Sequence, residues 1–144
     1  MNLDMFFLAM NAFAGLGWLF IILISPIWKR YDTVVIGIIV VILAITYTYF
    51  NVISFKPDLL QKFSTLDGVM TLFAQKPFVM AGWSHILCFD LMVGFWTKKN
   101  SLKHGINHWA LLPSFIFTIA LGPLGFLIYY ITRIVKTKKY FVAN

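Results

Sequence analysis

The chain has 144 residues, 60% of them hydrophobic and 12% charged, with a mean hydropathy of +0.84. Soluble domains carry about a quarter charged residues, so this composition excludes a water-covered globule and makes the bilayer part of the solvent. Twelve Lys and Arg stand against five Asp and no Glu, a net charge of +7, but the basic residues lie between apolar runs, which points to lipid headgroups and not to nucleic acid.

Four runs are long enough for a crossing helix, which needs about 20 mostly apolar residues. The N-terminus, MNLDMFFLAM, has no basic region and no small-residue cleavage site, so it reads as the start of the first span and not as a signal peptide. No Ser- and Arg-rich transit segment follows it, and a bacterial inner membrane is the expected setting. The first span covers residues 3–25 and stops at Pro26, with Trp28-Lys29-Arg30-Tyr31 as its flank. The second covers 33–53. Its many Val and Ile residues do not argue for strands, because an open sheet edge cannot sit in lipid.

Residues 55–77 are too polar to span. Leu59, Leu60, Phe63, Leu66, Met70 and Phe73 recur at helical spacing between Pro57 and Pro77. This predicts one or two short amphipathic helices on the membrane surface or over the bundle mouth. The third span covers 78–97 and the fourth 107–132, where Pro123 predicts a kink. The expected fold is a single all-α integral membrane domain, a bundle of four transmembrane helices. Four crossings put both termini on one side. Basic residues there number seven, against five on the other side, which favours cytoplasmic termini.

Polar residues inside the spans carry the functional signal, since an ionisable group in hydrocarbon faces the bundle interior or a cavity. They are Asn11, Asn51, His85, Asp90 and Thr118, with Arg133 at the end of the fourth span. Asp90 is the most costly, at roughly 2.5–3.5 kcal/mol for insertion at mid-helix. It is either protonated in a dry site or ionised beside a cation. One reading is a packing pair with Arg133 or His85 that fixes the helices. The other is chemistry. His85 and Asp90 lie five residues apart, about 140° around a helix, so they do not form an i, i+4 pair. They reach either two flanks of one cavity or two different neighbours.

His104 and His108 have the spacing of two ligands on one turn, but no carboxylate or thiol is close in sequence, and no metal site is expected. Cys88 is the one cysteine, which excludes an intrachain disulfide. Gly122-Pro123-Leu124-Gly125 and Ala14-Gly15-Leu16-Gly17 offer close backbone approach, for tight packing or for a flat apolar ligand.

Two stretches, LDGVMTLFAQKPFVMAGWSHILCFDLMVGFW and LPSFIFTIALGPLGFLIYYITR, together resemble the neoxanthin synthase family, named for abscisic-acid deficiency in plants. The pattern lies in Trp83-x-His85, Phe89-Asp90-Leu91, Gly94, Gly122-Pro123-x-Gly125 and Arg133, with Pro26 and Trp28 ending the first span. Phe95 and Asp67 depart from it.

The resemblance implies a four-helix membrane protein acting on a carotenoid or other isoprenoid, with violaxanthin-to-neoxanthin conversion as the plant activity. It implies His85 and Asp90 as catalytic residues. Asn11, Trp83, Phe89, Thr118, Tyr129 and Arg133 are the expected substrate contacts. Opening an epoxide to an allenic alcohol needs an acid and a base and no redox cofactor, so no cofactor is expected. Partners would be the isoprenoid ligand, the lipid bilayer and a second copy of the chain in a homo-oligomer. The alternatives are a non-catalytic carotenoid- or lipid-binding or assembly protein, or a small proton-coupled transporter. Small lycopene cyclases rest on glutamate motifs, and this chain has no Glu.

Overall fold

A computed structural model describes residues 2–140, which form seven helices and no strand. Three are long and apolar enough to cross a membrane: α1 (Leu3–Ile24), α2 (Tyr31–Ser54) and α5 (Lys76–Lys103). Between α2 and α5 lie two short helices, α3 (Leu59–Phe63) and α4 (Leu66–Phe73). Two further helices close the chain, α6 (His108–Leu121) and α7 (Pro123–Thr137).

Local chemistry sets the ends. Asn2 Oδ1 accepts from the amides of Asp4 and Met5 and starts α1. Thr65 Oγ1 accepts from Gly68 N–H and starts α4. Pro77 sits in the first turn of α5, where its missing N–H costs nothing. Gly105, at φ 61°, ends α5, and Asn107 caps α6 through the Trp109 amide. The β-branched residues of α2 are helical because only a helix satisfies its own backbone in lipid.

α5 is the centre and packs on α1, α2 and the last two helices. It runs parallel to α1. Trp83 meets Phe7 near one end, and Gly94 lies against Trp18 further along. A Cβ at Gly94 would fall 2.5 Å from Trp18 Cη2, so the indole fills the place a side chain would take. α2 returns antiparallel, with Tyr31 beside Phe95 and Phe50 beside Phe6. α1 ends in wide π turns over Phe20–Ile24, and α2 has another π stretch over Val35–Val40. α3 and α4 expose Leu60, Leu66 and Met70, the apolar face expected of the amphipathic segment. Beside Lys62, the carboxyl of Asp58 is held below the usual carboxylate range by their hydrogen bond.

The expected fourth span does not form as one kinked crossing. The chain reverses at Gly122 (φ 46°, ψ −95°), a conformation that favours glycine. α6 and α7 then pack side by side as a hairpin. Ser114 Oγ donates to Gly125 O at 2.7 Å, and Thr118 lies against Gly125. α6 starts beside the C-terminal part of α5, where His108 meets Lys98. Its tip reaches Asp90, and α7 climbs back until Tyr129 Oη donates to Asn100 at 2.6 Å. Each arm is about 21–23 Å long at 1.5 Å per residue, short of a 30 Å hydrocarbon core.

This also corrects the expected placement of the termini. Asp4 lies beside Lys76 at the start of α5, whereas α7 ends beyond Asn100 at the other end. The two ends of the described chain therefore sit at opposite ends of the bundle.

Candidate functional site

The hairpin stops halfway along α5. Below its tip, beside one flank of α5, a cleft of about 460 Å³ opens. Its walls are Trp83, His85, Ile86, Phe89 and Asp90 from α5 and residues 119–123 from the hairpin tip. This volume lies within the range of small-molecule sites, and an apolar wall with a few convergent polar groups is their usual make-up. The mouth is flanked by Phe89, Ile119 and Leu121, all substantially exposed.

Each polar group is held differently. Asp90 is half-buried, and its carboxylate faces the hairpin tip. A Cβ at position 122 would fall 2.9 Å from Asp90 Oδ1, so glycine there both makes the reversal and leaves room for the carboxylate. The first turn of α7 begins at that point, and its amides favour negative charge nearby. Asp90 takes part in no ion pair among the described residues, so neither Arg133 nor His85 neutralises it. The His85 ring packs on Phe89 at 4.5 Å and on Tyr47 of α2 at 5.4 Å between centroids. His85 thus borders the α2 flank of the cleft and Asp90 the hairpin flank, as two positions about 140° apart on one helix permit. Trp83 Nε1 donates to Asn11 Oδ1 at 3.0 Å, and Asn11 Nδ2 donates to Phe7 O at 2.8 Å. That relay anchors the indole wall to α1.

Of the expected contacts, Trp83, His85, Phe89 and Asp90 come together, and Asn11 acts one step behind Trp83. Three others lie elsewhere. Thr118 is buried between the hairpin arms, donating to Ser114 O. Tyr129 is fully buried against Trp96 and Asn100, above the tip. Arg133 is 1% exposed near the end of α7, where it donates to Tyr140 O and lies over the Tyr130 ring. These three hold the hairpin and do not line the cleft. The sequence reading missed residues 119–121, which become walls only because the chain turns back at Gly122.

A model of the family described as ABA4-like, ABA DEFICIENT 4-like, matches residues 5–129. The chain belongs to the ABA DEFICIENT 4-like family. This is the family of the neoxanthin synthase-like proteins, and the three apolar helices make this member a membrane protein. No curated protein and no solved structure matches the chain.

Of the residues that carry the resemblance, Trp83, His85, Phe89, Asp90, Gly122 and Pro123 line the cleft below the tip of the hairpin. The other histidines serve its base. His108 Nε2 donates to Ile22 O at 2.8 Å, in the π-helical end of α1, and a carbonyl only accepts. The neutral ring then accepts at Nδ1 from the buried Lys98 ammonium at 3.0 Å. His104 caps the end of α5, and no group of three metal-ligating side chains occurs among the described residues.

Proposed function

We propose that this protein is a membrane-embedded enzyme that isomerises the oxygenated end group of a carotenoid or related isoprenoid by proton transfer. The observation that carries this is the cleft under the hairpin tip, which is mostly apolar, open to the outside of the bundle and bordered by one carboxyl and one imidazole on different flanks. A polyene would enter sideways from the bilayer, set its ring end between Asp90 and His85 and leave its chain along exposed Phe89 and Ile86.

In an epoxide-to-allene reaction, protonated Asp90 gives its proton to the epoxide oxygen as the C–O bond opens. The His85 imidazole takes the vinylic proton, and the electrons of that C–H bond form the second double bond of the allene. The product is an alcohol isomeric with the substrate. Proton return from imidazolium to carboxylate through water restores the enzyme. No electrons leave the system.

In a bacterial inner membrane, the charge distribution would favour α7 ending on the cytoplasmic side and α1 starting on the opposite face. With the hairpin folded back, nine Lys and Arg lie at the end where α7 finishes, and Lys56, Lys62 and Lys76 lie at the other.

The test is expression in carotenoid-producing bacteria with chromatography of extracted pigments. Wild type should convert a resident pigment, and Asp90→Asn and His85→Ala should each lower product by about 10²-fold or more. Wild-type product levels from both variants would end the assignment. The ring stack on His85 favours a second reading, a non-catalytic carotenoid binder. It would show as pigment that co-purifies chemically unchanged.

A further inference from the structure

The net charge of this protein is confined to one end of the bundle. At the amino-terminal end, Lys56, Lys62 and Lys76 are balanced by Asp4, Asp58 and Asp67. Lys62 pairs with Asp58 at 2.8 Å and Lys76 with Asp4 at 3.8 Å, while Lys56 donates to Gln75. The opposite end holds nine cations and one carboxylate, Asp32, which Lys99 already occupies at 2.9 Å. Lys98 and Arg133 are buried there in hydrogen bonds of their own. Six cations remain: Lys29, Arg30, Lys103, Lys136, Lys138 and Lys139. All are exposed, and none pairs with a carboxylate among the described residues.

Three loops or helix ends bring these six together: the α1–α2 loop, the last turn of α5 and the end of α7. Trp28 and Trp109 are 41% and 59% exposed at the same end. Exposed indoles settle at headgroup level, which sets the depth of the cations around them. Like charges gathered on one face raise its potential, and screening over about 8 Å at physiological salt does not cancel it for a ligand in contact.

We propose that this face binds the headgroups of anionic phospholipids, the lipid phosphates seating among these six side chains. A phosphate-bearing lipid is the anion present at that depth, and clusters of four to eight Lys and Arg beside a membrane helix recognise such headgroups. The proposal goes beyond an orientation signal, which acts during insertion and leaves no lipid preference in the folded protein. It is also independent of the isomerase reading.

The experiment is tryptophan quenching in reconstituted bilayers of phosphatidylcholine and phosphatidylglycerol. Brominated chains are placed on one lipid and then on the other, at equal mole fraction. The wild type is expected to show about fivefold preference for phosphatidylglycerol, the factor equivalent to about 1 kcal/mol from one effective cation. The preference should fall to near one when the six residues are replaced by Gln, and also in about 0.5 M salt. Lys56, Lys62 and Lys76 replaced together by Gln should leave it unchanged. Equal quenching of wild type by both lipids, or a preference retained by the six-residue variant, would overturn the proposal. Loss of preference in the three-lysine control would overturn the assignment to this end.

Discussion

Alanine at position 125 would drive a methyl group into the backbone of α6. Gly125 is buried, and a Cβ there meets the amide nitrogen and Oγ1 of Thr118 and the carbonyl oxygen of Ser114. Backbone atoms cannot swing aside, so the two arms must part by about 1 Å to restore ordinary contacts near 3.5 Å. Overpacking of this kind costs about 1–3 kcal/mol. Parting the arms also weakens the 2.7 Å bond from Ser114 Oγ to Gly125 O, leaving a buried hydroxyl at a cost of about 1–3 kcal/mol. Against this stands a gain of about 1 kcal/mol for alanine over glycine in a helix. The net loss is about 1–5 kcal/mol, or roughly 3–20 °C in melting temperature for a chain of this size. Cys88 is the one cysteine and is 6% exposed, so a thiol-reactive dye reports unfolding in detergent directly. A single kinked crossing would place residue 125 away from Ser114, and Gly125→Ala would then raise the melting temperature. An unchanged or higher melting temperature refutes the hairpin.

Gly122→Ala should cost about 1–2 kcal/mol for a positive φ and push the Asp90 carboxylate out of its place. Pigment conversion is expected to fall further than the melting temperature explains, and full conversion by this variant would count against Asp90 at the tip. Tags at the two ends of the chain should be accessible from opposite faces of the membrane, with a C-terminal fluorescent fusion bright in the cytoplasm. Protection or exposure of both tags together would restore four crossings.

The hydropathy pattern made three crossings legible, because about 20 apolar residues in lipid have no option but a helix. The amphipathic segment was legible for a similar reason, its apolar face recurring at helical spacing. The fourth run was misread, since a crossing helix and a hairpin half as deep share the same hydropathy. Two signals pointed the other way. Gly122 precedes Pro123 and leaves arms of 14 and 15 residues, each too short to cross. The basic residues divided only seven to five for four crossings, whereas the hairpin divides them nine to three.

At the candidate site, His85 and Asp90 stood out because ionisable groups in hydrocarbon are costly, and the helical period separated them without any neighbour being known. Which side chains join them was not readable. Thr118, Tyr129 and Arg133 share the polar character of site residues, but they fasten the hairpin. Ile119 and Leu121 look like lipid-facing residues and become walls. The sequence by itself determined that this chain has the apolar runs of a membrane protein, belongs to the ABA DEFICIENT 4-like family and carries a carboxyl in its third span. Only the tertiary structure decided that the last apolar run turns back at Gly122. That reversal depends on a glycine in a positive-φ conformation and on Gly125 seating against Ser114 and Thr118, contacts between arms that no pattern along the chain encodes. The cleft beside Asp90 exists because that hairpin ends halfway.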